Sequence, residues 1–514
     1  MELNTKRAVI TAAMPSEAPV QEQGLELDYV LPDYYPDVCK LVKCMVTPTI
    51  TAETISGGHI SYELRAQIRI LYCSEDSHLL QCVTQTLHFS RTLETEIPDE
   101  GFSVEITPVT DYVNCRAVSR RRLDVRGAVT VRIRIHPCCR QEAICDIPEK
   151  SVQCKRIPVD YPVSKVRTAG SVVLSEELEL GTQKPPVLHI VRCDAVTLEE
   201  SHKYVSGKLM TQGTLEIRLL YACEKDGVSS LEPMSFRIPY SKLLETENLQ
   251  EDDHCHVRTT VAACDIKPVT DAEGNVRILR LEAELRICCT AVRMATQMLV
   301  CDAFSTEHRS HCSTAVLRMG GVPEPFAEML TVSTRLSCED SDPDCVYDAW
   351  CEVRNLSACT DEQTGELVIN GMLCCNVLVR EGSGMPRLLE HEEPFEHRKA
   401  AGCGMQDNVQ VHASVEDCSY TLSGQSEVSM KILLRLDGML CRSRMCEVLT
   451  DFEVQEDAAH PRNHALKLYF GKAQEEIWEI AKRCRTSVAA IMEENDLTGD
   501  FLTEDGMLLI PIVN

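Results

Sequence analysis

Apolar and polar residues alternate with a period of two along most of the first 450 positions. Val131-Arg132-Ile133-Arg134-Ile135-His136 and Leu215-Glu216-Ile217-Arg218-Leu219-Leu220-Tyr221 show it most clearly. That period is what a strand with one buried face requires. Turn formers separate the runs at Ser56-Gly57-Gly58, Lys225-Asp226-Gly227, Glu273-Gly274-Asn275 and Gly382-Ser383-Gly384. Helical spacing is scarce, and only the segment after Pro36 or Pro185 leaves room for a short helix. The pattern predicts a mainly β chain of antiparallel, sandwich-like sheet assemblies.

The pattern also repeats. Residues 31–44 (LPDYYPDVCKLVKC) return at an offset of 149 as residues 180–193 (LGTQKPPVLHIVRC), pairing Leu31 with Leu180, Pro36 with Pro185, Val42 with Val191 and Cys44 with Cys193. Lys43 meets Arg192. Without a gap, Arg69-Ile70-Leu71-Tyr72 falls on Arg218-Leu219-Leu220-Tyr221. A fainter third copy matches Leu367, Gly371 and Leu373 with Leu209, Gly213 and Leu215 at an offset of 158. Such internal similarity marks tandem structural units. We divide the chain into β units 1–150, 151–298 and a degenerate 299–448, expected to stand in series as an extended body.

Beyond residue 448 the character changes. An acidic linker is expected over 449–463, where EVQEDAAHPRN (453–463) is polar throughout. Over 464–514, Ile477, Ile480, Ala481 and Cys484 recur at helical spacing, and Val488, Ile491 and Met492 form a second stripe after a Thr486 or Ser487 cap. With Leu466–Phe470 and Met507–Ile510 as strands, the predicted order is βααβ.

Composition narrows the function. Net charge is −27 and aromatics are 5% of residues. An acidic surface repels phosphate backbones and anionic lipid heads, so neither nucleic acid nor a membrane surface is an expected partner. No apolar run approaches the roughly 18 residues of a membrane span, and an apolar leader is not seen behind the first charges. A cytoplasmic location is therefore expected. Under reducing conditions the 28 cysteines are expected to be thiols serving as small hydrophobes. Zinc would need close pairs such as C-x2-C, and the recurring feature is instead Cys-Cys, at 138/139, 288/289 and 374/375.

Catalytic signatures are absent from the sequence. Gly402-Cys403-Gly404 and Gly382-Ser383-Gly384 lack the strand-turn-helix setting of a phosphate cradle, and no P-loop occurs. His391-Glu392-Glu393-Pro394-Phe395-Glu396-His397 separates its histidines by six and contains a proline, so a solvated loop is expected and not a zinc helix. His308, His311 and Cys312 lack a further ligand. No enzyme activity, cofactor or metal is expected. One basic run stands out: Arg120, Arg121, Arg122, Arg132 and Arg134 make a candidate docking face for an acidic partner, against the plainer reading of a solvated sheet face.

Two resemblances sharpen this reading. Ile477-Trp478-Glu479-Ile480-Ala481-Lys482, Thr486-Ser487-Val488, Asn495-Asp496-Leu497 and Gly506-Met507-Leu508-Leu509-Ile510-Pro511 occur in the order of a LysM domain, which the segment resembles. That family binds N-acetylglucosamine glycans in a shallow groove, here bordered by Phe470, Gly471, Lys472, Trp478, Asn495 and Leu497. Its Gly-Asp-Thr loop is replaced by Gln474-Glu475-Glu476, which weighs against sugar. LPDYYPDVCKLVKC and Arg69-Ile70-Leu71-Tyr72-Cys73-Ser74-Glu75-Asp76 resemble the SPOCS family of spore-coat-associated domains. The combination implies a spore coat morphogenesis scaffold in the mother-cell cytoplasm at the forespore surface. Its LysM groove would bind a coat morphogenetic ATPase (SpoIVA-like), and its β units other coat or forespore-surface proteins. The alternative implied by LysM alone is a peptidoglycan- or chitin-type glycan binder.

Overall fold

The computed structural model describes residues 4–13, 19–56, 58–75, 79–94, 102–205, 207–225, 228–245, 249–271, 274–337, 343–361, 363–382, 384–402, 408–422, 427–455 and 466–511. Several turn signals (Gly57, Asp226-Gly227, Glu273 and Ser383), together with Cys403-Gly404, lie outside them.

The alternating pattern becomes long strands. The first unit contains β1 (Lys6–Ala13), β2 (Val20–Val30), β3 (Val38–Ser56), β4 (His59–Ser74), β5 (Leu80–Glu94), β6 (Phe102–Ser119) and β7 (Arg122–Asp146). Strand order β2-β7-β6 makes one antiparallel sheet and β3-β4-β5 another. Val129, Val131, Ile133 and Ile135 of β7 turn inward onto Ile60, Tyr62 and Leu64 of β4, so the sheets share a core. Apolar residues at every second position bury one face of each sheet, and burial of each large aliphatic side chain contributes about 1.5–3 kcal/mol.

The second unit repeats the plan with β8 (Val152–Glu179), β9 (His189–Val205), β10 (Lys208–Lys225), β11 (Val228–Glu245), β12 (His254–Thr270) and β13 (Val276–Ser305). Its sheets are β8-β13-β12 and β9-β10-β11. The third has β14 (Arg309–Ser337), β15 (Pro343–Thr360), β16 (Glu366–Glu381), β17 (Pro386–Ala400), β18 (Asn408–Leu422) and β19 (Glu427–Gln455), paired as β14-β19-β18 and β15-β16-β17. The faint third copy is thus a full unit.

Four expectations are corrected. The segments after Pro36 and Pro185 form no helix; they lead directly into β3 and β9. The division expected at 150/151 falls within 147–151, but the one expected at 298/299 moves to 306–308, because the long central strands run past each sandwich paired with an edge strand as ribbons: β13 continues to Ser305 opposite Val152, and β19 to Gln455 opposite Arg309. That pairing also makes residues 449–455 strand instead of linker, while 456–465 lie outside the described residues. His391–His397 is strand and not loop, and Pro394 fits because β17 is an edge strand, where a missing N–H costs no ladder bond.

The units do not stand in series. They close into a ring. Arg69 of the first unit reaches the carbonyl of Cys193 (2.8 Å) and the carboxylate of Asp194 (2.6 Å) in the second. Its repeat counterpart Arg218 donates to the carbonyl of Glu416 (2.7 Å) in the third. The third returns to the first where Lys43 donates to the buried Asn376 (2.5 Å) and pairs with Glu390. Two apolar plugs fasten the ring. One joins Met45, Leu71 and Cys73 to Val191 and Leu220 and to Tyr347, Trp350 and Leu378. The other gathers the three ribbons through Ile10, Val159, Leu299, Leu317 and Val448. An extended body would leave both surfaces in water.

The C-terminal segment runs β20 (Leu466–Gly471), α1 (Ile477–Cys484), α2 (Val488–Glu494) and β21 (Gly506–Pro511). Ser487 caps α2, its Oγ accepting from the Ala490 N–H at 3.1 Å; Thr486 is buried and donates to the Pro511 carbonyl.

Candidate functional site: a docking face and a central chamber

The expected groove residues divide sharply in the structure. Trp478 is buried: its ring meets Phe304 of the second unit edge-on at 5.0 Å, and its Nε1 donates to Asp302 at 2.8 Å. Lys482 reaches the same carboxylate at 2.7 Å, and Lys155 pairs with Glu476 at 2.5 Å. Trp478 therefore anchors the module to the second unit's ribbon and does not face outward. Gly471 is buried too, and a Cβ there would meet Leu502 at 2.3 Å. Asn495 accepts from the Leu509 N–H and donates to its carbonyl, both at 2.7 Å, which fastens the α2 end to β21. Leu497 packs against the module core.

Phe470 and Lys472 remain in solvent, Phe470 at 60%. Phe470 lies opposite Met507, and Leu468 opposite Leu509. The outward face of this two-stranded sheet is accordingly apolar: Leu466, Leu468, Phe470, Met507 and Leu509 are all exposed, with Phe501 exposed as well. Contiguous exposed apolar side chains on a soluble module mark contact surfaces. The sequence carries the signal in its spacing. Leu466, Leu468 and Phe470 alternate, yet Tyr469 and the unbroken run Met507–Ile510 supply apolar residues to the opposite face as well.

The loop before α1 is engaged internally. Glu475 accepts from the Tyr469 hydroxyl (2.7 Å), from the Lys472 N–H (3.2 Å) and from Arg483 (3.3 Å). The Tyr469 hydroxyl beside it holds its carboxyl below the ordinary range. With Glu476 paired to Lys155, both acidic positions of the loop are occupied by protein.

The arginine run does not form one face. Arg120 pairs with Glu75, Arg122 with Asp28, and Arg121 donates to Asp37 and to the carbonyls of Leu31, Pro32 and Tyr35, binding the β6–β7 end to the β2–β3 crossing. Arg132 and Arg134 instead line an open chamber between the three units, about 740 Å³ in volume. Arg218, Arg258 and Arg354 join them from the other units, against the carboxylates Glu105, Asp194 and Glu352. Smaller clefts of about 660 and 330 Å³ open beside it, and Arg258 and His412 border all three. His412 stacks on His256 with ring centroids 6.4 Å apart, and burial holds its pKa down to about 2, so the imidazole is neutral. Sequence reasoning missed Arg258, because only ring closure brings it beside the first unit. Among the described residues no group of three or more potential ligands is placed to hold a metal ion, and no helix is long and apolar enough to cross a membrane.

Comparison with known proteins places the second unit. Residues 186–269, which carry β9 to β12, match the family model described as SipL, SPOCS domain. No curated protein and no solved structure matches the chain. Residues 186–269 are thus similar to a SPOCS domain, set in a chain of tandem β-sheet units.

Proposed function

We propose that this chain is a non-enzymatic scaffold of spore coat assembly, working in the mother-cell cytoplasm at the forespore surface. Its C-terminal module, read as a LysM domain, captures a coat morphogenetic ATPase, and the ring of SPOCS-like units holds other coat or forespore-surface proteins. The exposed apolar sheet of β20 and β21 carries the proposal. It is the part of the module not used to hold the module in place, since Trp478 and Lys482 are committed to Asp302. The basic chamber supports a second contact of opposite character, suited to an acidic segment.

A glycan groove is the weaker reading, because Gln474-Glu475-Glu476 replaces the small loop of the resemblance and both glutamates are engaged. The test is affinity capture from sporulating cells with the full chain and with a Leu468→Asp/Phe470→Asp variant. Recovery of the coat ATPase by the first and its loss with the second is expected. Equal recovery by both would remove the docking face from the proposal.

A further inference from the structure

Among the cysteines, one pair recurs in every unit. Cys44 on β3 lies against Cys115 on β6, Cys193 on β9 against Cys264 on β12, and Cys351 on β15 against Cys418 on β18. In each unit the first member sits on the leading strand of one sheet, and the second on the next-to-last strand of the unit, in the other sheet. Cys115, Cys264 and Cys418 lie opposite Val125, Ala283 and Ile432 of the long strands β7, β13 and β19. Each pair packs against the core of its own sandwich. The Cys351 sulfur lies 3.9 Å from that of Cys418 in the other sheet and 3.5 Å from that of Cys375 on the neighbouring strand β16. All six are partly exposed, and Cys44 and Cys351 border the central chamber.

A cysteine used only as a small hydrophobe has no need of a second thiol beside it, still less in three places. Ordinary packing would place alanine or valine at some of the six positions. Conservation of the contact across units whose sequences have otherwise drifted points to the sulfur chemistry. We propose that Cys44–Cys115, Cys193–Cys264 and Cys351–Cys418 are three equivalent disulfide-forming sites that lock the two sheets of each unit together when a small-molecule disulfide is the oxidant.

The step balances as two exchanges. The Cys115 thiolate attacks one sulfur of the oxidant RSSR and releases RS⁻, leaving a mixed disulfide on Cys115. The Cys44 thiolate then attacks Cys115 sulfur, forms the protein disulfide and releases the second RS⁻; the two thiol protons pass to solvent and to the leaving thiolates. The hydrogen bond between the paired thiols lowers the pKa of Cys115 beside Cys44 and of Cys264 beside Cys193, which raises the thiolate fraction that the first exchange needs. Each bridge closes a long loop, 115 − 44 = 71 residues in the first unit and 67 in the third, so oxidation restricts the unfolded chain strongly.

The test treats the folded full chain with oxidised glutathione, caps remaining thiols and maps bridged peptides without reduction. The three named bridges are expected, with a melting temperature raised by about 10 °C and restored by dithiothreitol. A Cys115→Ser variant should lose only the first bridge, so a failure of one variant to fold does not decide the matter. A map in which Cys44, Cys193 and Cys351 stay as thiols, carry only glutathione, or bridge elsewhere (Cys351 to the neighbouring Cys375, for example) overturns the proposal.

Discussion

The indole Nε1 of Trp478 donates to the carboxylate of Asp302 at 2.8 Å, across 176 residues of sequence. This bond and the Phe304 ring fix the orientation in which the C-terminal module is carried by the ring. The module core is completed by Phe304, so the joint is apolar packing closed by one charged acceptor. A hydrogen bond to a charged group is worth about 1.5–3 kcal/mol, and an edge-on aromatic pair about 0.5–1.5 kcal/mol. The Lys482 contact adds little, since that side chain is 40% exposed.

Asp302→Ala should therefore release the module without unfolding the ring. Hydrogen exchange over residues 477–484 should rise about tenfold or more, and tryptophan emission should shift to the red. Asp302→Asn, which keeps an oxygen acceptor, should recover part of the protection. Unchanged exchange in the alanine variant would show that the packing of Phe304 alone holds the joint.

Single changes on the exposed sheet should separate docking from folding. Phe470→Ala and Met507→Ala remove side chains that touch mostly water, so stability should change by under about 0.5 kcal/mol. If either ring or thioether is buried by a partner, the loss is about 1.5–3 kcal/mol, or roughly 10–100-fold in affinity. Lys472→Ala, at the rim, should cost less than threefold. Biolayer interferometry against the proposed partner, a coat morphogenetic ATPase, would rank the three.

Much of the body was legible because repetition and alternation are local. Tyr72 and Tyr221, matched in the repeat, each donate to a proline carbonyl 36 residues earlier, Pro36 at 3.1 Å and Pro185 at 3.2 Å. One repeat thus encodes one sandwich corner. Ring closure was not legible, because nothing in Arg69 or Arg218 states that its partner lies in the following unit. The same limit hid the site. Arg132 and Arg134 read as an outer face from alternation alone, and Trp478 as a groove rim; only the positions of Arg258 and Asp302, set by other units, reverse both readings. The exposed face of β20 and β21 was half visible, through Phe470.

The joint between the second and third units predicts a pH response. Arg192, 5% exposed, is bound by Asp194 and Asp348 and stacks 4.2 Å over Trp350. Despite burial, Arg192 and Arg69 bring the Asp194 pKa down to about 2 from 3.8. A depressed carboxyl stabilises the fold above its unfolded pKa and loses that contribution as pH falls through the folded value. About 2 kcal/mol should thus disappear between roughly pH 4 and pH 2. Burial raises the Asp348 pKa, which has the opposite sign: its protonated form favours the fold at low pH, and that contribution is lost as pH rises through its folded value. Asp194→Asn should flatten the acid limb of a urea-stability profile, and Asp348→Asn should steepen it. Arg192→Met leaves two acids without their main cation and should cost about 3–5 kcal/mol at neutral pH.

The loop that departs from the LysM pattern offers the last test. Gln474 adopts φ 67°, a left-handed conformation that costs a residue with a Cβ about 1–2 kcal/mol, and its side chain is exposed. Its backbone N–H donates to the Leu502 carbonyl at 2.8 Å, so the conformation is held from outside the loop. Gln474→Gly should relieve the strain, less the extra entropy of glycine in the unfolded chain, for a net gain of about 0.5–1 kcal/mol in local stability. Gln474→Pro should do the reverse by more than about 2 kcal/mol, since proline fixes φ near −65° and removes the donor. Hydrogen exchange of residues 466–511 measures both. The glycine variant should also remain without affinity for chitin oligosaccharides in titration calorimetry, because Glu475 and Glu476 still fill the loop with their own partners. A saturable isotherm from it would return the module to sugar recognition and detach it from coat-protein capture.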